Sequence, residues 1–424
     1  MRDCSAFLPF HEAPNASAHT AHGIVPVFSA KGATMFTQEA ILAAPLSELV
    51  DMANETFRSS RNREVAANSA PIKIKFGIGR SVFAKAFGFK MAEYFTDPEV
   101  CVTTQLRIKL FNFHVMRDDT PFDLDVGLDY ATALEPSMFG MESLFEEGKE
   151  PTYGAHIIRE PEDLDALAAP DFHTSGLMPR AHAMYKDITS LAGGRLRVFF
   201  PGWARGPWSI ATMLRGFTDL FMDCADDPEY VGRLMQFIVD SRIAWERQRC
   251  DFLDIAPTDR DYRWKYVFYR NNYNSDMFED EVDGNLFSPQ MFHDLVAPYT
   301  RQLSEFYGGI GYYHSCGNLT DFLPDIATLG IRVMQHISGW TDYSRAAALM
   351  PPDVILQISL NATDDVMLAD ETHMRNRIRS IADNAMGRTV DVCPDALYEG
   401  GWDTIDKVRT LIRIFREEVA GQCM

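Results

Sequence analysis

From about residue 120 onward the chain repeats one unit, a short β-rich run followed by a longer amphipathic stretch. The runs fall at 123–130, Arg197–Pro201, Lys265–Tyr269, Gly309–His314, Ile331–His336, Val354–Ser359 and Thr389–Cys393. Between them lie stretches with helical spacing, such as Tyr230–Arg249, Pro289–Phe306, Leu319–Leu329 and Asp370–Ala385. Strands that alternate with helices of this length pair in parallel, because each helix returns the chain to the start of the next strand. Seven or eight units without a break, and without a glycine-rich nucleotide turn, favour a closed barrel over an open sheet. The expectation is a (β/α)8 TIM-type barrel at 116–424, preceded at 1–115 by an N-terminal arm and helical cap. Within that extension, residues 38–57 place Leu42, Leu46, Leu49 and Met52 on one helical face, and 83–94 are spaced likewise. The first 35 residues have no periodicity and read as an arm draped on the body or, in a homodimer, on a neighbouring subunit.

Composition narrows the class of partner. Forty basic against 60 acidic residues give a net charge of −20, which disfavours a nucleic-acid partner. Seven cysteines without regular spacing, in 424 residues, do not form a disulfide framework. With 11 histidines they suit a reduced, cytoplasmic protein with a metal-binding subset. No apolar run approaches the length of a membrane span, and the N-terminus lacks the apolar core of a signal peptide.

The segment Ile310-Gly311-Tyr312-Tyr313-His314-Ser315-Cys316-Gly317-Asn318 carries the most chemistry. Residues i and i+2 of an extended segment share a side, so His314 and Cys316 can reach one ion. Cys393 ends a later strand-like run before Pro394 and supplies a third soft ligand at the same mouth of a barrel. A His/Cys/Cys set is suited to catalytic zinc, with the fourth position open to substrate. Zinc held this way is a mild Lewis acid, able to activate a bound thiol or make a bound ether oxygen a better leaving group. Both chemistries belong to methyl transfer.

Other candidates follow from the positions of strand ends, where barrel enzymes place their reacting groups. Asp125 and Asp129 lie near the end of the first proposed strand, and Glu135 follows it. An acid there either positions substrate or exchanges a proton, or caps a helix or sits in a solvated loop. The acidic run Asp276, Glu279, Asp280, Glu281 and Asp283 is mainly a solvated loop, with one or two members able to enter the mouth. Trp203, Tyr312, His336 and Asn361 are the substrate-binding candidates, with Phe199, Trp208 and Trp340 as further aromatic walls.

The block His314–Leu319 resembles the uroporphyrinogen decarboxylase superfamily, especially its zinc methyltransferase branch that works with corrinoid (cobamide) proteins. Gly206-Pro207-Trp208-Ser209-Ile210-Ala211 through Gly216 is similar to that superfamily's G-P-F-T segment. Asp226-Asp227-Pro228-Glu229, Ser288–Phe292 with Pro298-Tyr299, and Asp129 through Glu135 to Gly140 match in the same order. The resemblance covers about residues 120–415. It implies a (β/α)8 barrel and zinc on His314, Cys316 and Cys393. It also implies a cobamide carried by a partner corrinoid protein, and a small-molecule methyl donor or thiol acceptor. The decarboxylase proper carries an R-Q-A-G-R type arginine segment near its start, suited to bidentate carboxylate contacts. Arg58, Arg61, Arg63 and Arg80 do not follow that pattern, so a metal-free decarboxylase is the alternative rather than the first reading. A binding or assembly protein on a barrel without catalytic metal is the other rival.

Overall fold

The computed structural model describes residues 35–69, 71–75, 77–259, 277–337, 340–394 and 397–422. Eight parallel strands form a (β/α)8 barrel. They are β1 (Ile72–Ile74), β2 (Asp125–Gly127), β3 (Arg197–Phe199), β4 (Met277–Glu279), β5 (Ile310–His314), β6 (Ile331–Ile337), β7 (Ile355–Leu360) and β8 (Val390–Pro394). One arc runs in the order β1-β8-β7-β6-β5-β4, and β2 pairs with β3 in a second arc. The pairing of β1 with β8, Ile72 opposite Val390 and Ile74 opposite Val392, joins the first and last of these strands. A short antiparallel hairpin, Ser143–Leu144 with Thr152–Tyr153, is inserted after β2.

Strand alternation divides each strand into an outer and an inner set. Tyr313, Met334, Leu356, Val390 and Val392 are buried in the main hydrophobic core between the sheet and its helices. The alternate positions face the barrel interior and are unusually polar there. Tyr312 donates its hydroxyl to Gln357 Oε1 (2.6 Å), Lys75 pairs with Asp391 (2.5 Å), and Gln335 lies in the same buried set.

The N-terminal helical region comprises α1 (Gln38–Ala43) and α2 (Leu46–Ser69), and α2 packs on the helix Pro98–Phe111. Thr37 caps α1 by accepting the Ala40 N–H. The barrel sheet, however, begins at Ile72, well before the expected boundary at 115/116. That strand is three residues long with Lys73 at its centre, too short to show alternation. The strand expected at Lys265–Tyr269 and the arm at 1–34 lie outside the described residues, and the fourth described strand is β4 at Met277–Glu279. The stretch Pro289–Phe306 forms two helices, Pro289–Leu295 and Ala297–Tyr307, with Pro298 at the restart. Proline tolerates a first turn and lacks the N–H that a continuous helix would need.

Candidate metal site

Two loops at the C-terminal ends of β4 and β5 build the site. Ser315 Oγ donates to Val282 O (2.7 Å) and accepts the Val282 N–H (3.1 Å). Gly284 N–H donates to Asn318 O (2.8 Å), and Asn318 N–H to Asp283 Oδ1 (3.1 Å). Gly317 permits this closeness, because a Cβ there would overlap Val282 O and the Asp283 backbone. Below them, Asp280 N–H donates to His314 O (3.0 Å).

This zipper sets Glu281 against His314 and Cys316. His314 Nε2 is 3.3 Å from Cys316 Sγ and 3.4 Å from Glu281 Oε1. The Cys316 N–H donates to the other carboxylate oxygen, Oε2, at 3.1 Å. On the far side of the ring, His314 Nδ1 meets Gln335 Oε1 at 2.6 Å. His314 is buried, Cys316 exposed, and the Glu281 side chain 41% exposed, so the cluster opens from a buried floor towards solvent. Burial pushes the Glu281 carboxyl up. The hydrogen bond and charge of His314 in its protonated form, the Cys316 N–H and the Arg205 charge outweigh it and hold the group at about 2.

The donor set fits a divalent metal. Glu281, His314 and Cys316 each offer one ligand atom, all within 4.8 Å of one another. Zinc bonds of roughly 2.0–2.3 Å in a tetrahedron imply ligand separations of roughly 3.3–3.8 Å. The 3.3 and 3.4 Å contacts to Nε2 match those edges.

Glu281 was legible only as one member of an acidic run, and Gln335 gave no sequence signal. Cys393, expected as the third ligand, is outside this close set. It is buried at the end of β8, paired in register with Ser359 of β7, with Sγ 3.4 Å from Pro394 O. It takes part in no disulfide.

The remaining candidates are engaged elsewhere. Asp129 pairs with Arg80 and accepts the Ala131 N–H (2.7 Å). Burial raises its pKa, and Glu150 adds to the rise that Arg80 opposes. Glu135 accepts the N–H groups of Ala204 (2.8 Å) and Arg205 (3.3 Å), pinning the loop after β3. Arg249 holds the same loop by Phe200 O (2.7 Å) and Pro201 O (3.0 Å). Trp203 is fully buried, edge-on to Phe139 and Trp245. Tyr312 spends its hydroxyl on Gln357. Asn361 caps the turn that follows β7 by accepting the Thr363 and Asp364 N–H groups. The backbone of His336 lies on β6, and its side chain lies outside the described residues.

Residues 84–249 match the uroporphyrinogen decarboxylase (URO-D) family model. The chain resembles that superfamily, as the motifs implied. The matched segment runs from the first helix after β1 through β3 and the long helix Pro228–Leu253, and ends before Glu281. No curated protein matched the chain. Among solved structures, a methyltransferase from Methanosarcina mazei superposes with a TM-score of 0.57. It is 15% identical, and the match covers 81% of this chain and 91% of that one. At that identity the likeness speaks for the barrel fold.

Proposed function

We propose that this URO-D-like barrel is a zinc-dependent methyltransferase that exchanges a methyl group between a small molecule and the cobamide of a corrinoid protein. The observation that carries the reading is the convergence of Glu281, His314 and Cys316 at the C-terminal mouth of the barrel, where such folds do chemistry. His314 would contribute Nε2, Cys316 its thiolate and Glu281 a carboxylate oxygen, with Cys393 proposed as a further thiolate from the same mouth. Bound zinc would supply Lewis acidity, activating a thiol or polarising a methylated oxygen. Glu281 and Cys316, the donors on the solvent side, would hold the metal where a substrate atom can approach it.

The mouth is also suited to a large partner. Leu286, Trp340, Leu368 and Tyr398 are exposed, and they follow β4, β6, β7 and β8 respectively. Exposed apolar side chains in the segments after these strands would suit the approach of a protein-bound cofactor. No helix among the described residues is long and apolar enough to cross a membrane, and the proposed setting is the cytoplasm.

The test is metal analysis of the purified chain, followed by visible absorbance of a cobamide mixed with candidate methyl donors and thiols. About one zinc per chain and a zinc-dependent change in the cobamide spectrum are expected. Zinc far below one per chain, or decarboxylation that survives chelation, would overturn the reading.

A further inference from the structure

We propose that Gln335 is a positioning residue that selects the tautomer of His314 and thereby arms the metal site. The proposal rests on the metal reading above. Gln335 is fully buried on β6, and its Oε1 lies 2.6 Å from His314 Nδ1. A carbonyl oxygen only accepts, so in the neutral ring Nδ1 carries the proton and Nε2 presents its lone pair to Cys316 and Glu281. The reverse amide orientation would place an N–H on Nε2, hydrogen-bonded to Glu281, and would close the site to a cation.

The cost of this amide argues that it serves His314. Its Nε2 has no hydrogen-bond partner among the described residues, and a buried orphan donor costs about 1–3 kcal/mol. Val333, two residues earlier on the same inward face, is apolar and involves no such cost. Tyr312 pairs with Gln357 and Lys75 with Asp391, whose Oδ1 is the other interior atom of this set without a partner among the described residues. Gln335 is paired in register with Gln357 on β7, yet it is the one that reaches the ligand ring. A hydrogen bond of this kind orients a ligating histidine and strengthens its donor nitrogen.

The experiment uses the full chain labelled with 15N-histidine and free of metal, at a mildly alkaline pH where imidazole is neutral. Two-bond 15N–1H spectra identify the His314 tautomer, with His314→Gln assigning the signals. The wild type is expected to show Nδ1–H. Gln335→Glu, which keeps an acceptor, should retain that tautomer. Gln335→Met, which does not, should give a mixture and weaken zinc roughly 10–100-fold in a chelator competition. An Nε2–H tautomer in the wild type overturns the proposal, and so does Gln335→Met with unchanged tautomer and affinity. The wild-type spectrum decides even if a variant fails to fold. Zinc titration of the wild type separates the two ideas: Nδ1–H without zinc binding sinks the metal reading and leaves the Gln335 assignment standing.

Discussion

The two ends of the barrel treat their charged groups in opposite ways. At the N-terminal end, Asp125 opens β2 and meets the first residue of β3, Arg197, through two hydrogen bonds of 2.6 and 2.5 Å. Lys109 joins Asp123 and the Asp125 carbonyl beside them. Each anion there has a cation, and the cluster locks strand starts together. At the C-terminal end, Glu281, His314 and Cys316 face one another, with Cys316 exposed. Donors that converge on each other remain available to a ligand, whereas donors consumed by cations and backbone serve stability. Asp129 and Glu135 sharpen the lesson. They sit near the mouth yet are engaged like the groups at the other end, by Arg80 and by the backbone of the loop after β3.

The strongest way to break this contrast is Cys316→Ala. Zinc should fall from about one per chain to near zero, while the metal-free protein keeps its urea midpoint. A variant that retains zinc would mean the mouth cluster is not the metal site. Arg197→Met should do the reverse, lowering stability by about 1–3 kcal/mol because the buried Asp125 carboxylate loses both hydrogen bonds to Arg197, with zinc content unchanged. Urea unfolding together with metal analysis reads both effects.

A third expectation concerns Asp280, which links the two themes. It is fully buried beneath the cluster, accepts the Ser209 N–H at 2.7 Å, and has a second oxygen with no partner among the described residues. Burial first, and then the Glu281 charge, raise its pKa from 3.8 to about 7 against the Ser209 bonds and Arg242. The folded state therefore holds this proton more tightly than the unfolded chain. Its stabilising contribution is full below about 4 and is lost as pH rises through about 7. The melting temperature should fall over that window in the wild type, and Asp280→Asn should flatten the slope. An equal slope in both proteins would assign the dependence to other groups. The smallest effect is expected at Arg195, whose pair with Asp51 is solvent-exposed on both sides. Arg195→Ala should leave the urea midpoint within experimental scatter.

What could be read from the chain depended on length and repetition. The strands β5 to β8 are five to seven residues long and rich in branched or aromatic side chains, so alternation exposed them at nearly their observed bounds. The strand β1 has three residues, and pairing with β8 rather than local pattern makes it a strand. The metal ligands divide in the same way. His314 and Cys316 share a strand end, so i, i+2 spacing was enough to pair them. Glu281 joins them only because a glycine at 317 lets two loops interlock, and Gln335 only because β6 lies beside β5. Side chains brought together by neighbouring strands leave no periodic trace. Trp203 and Asn361 misled for a related reason: tryptophan and asparagine near strand ends serve cores and caps as readily as ligands.

The interlocked loops also make the site modular. All three clustered donors lie on one βαβ unit, between Met277 and Cys316, and their mutual placement is set within it. A circular permutant opened in the helical layer on the opposite side of the ring would keep this unit uncut and should inherit its metal affinity. An insertion between Asp280 and Gly284 would instead separate donors that the rest of the barrel has no means to bring back together.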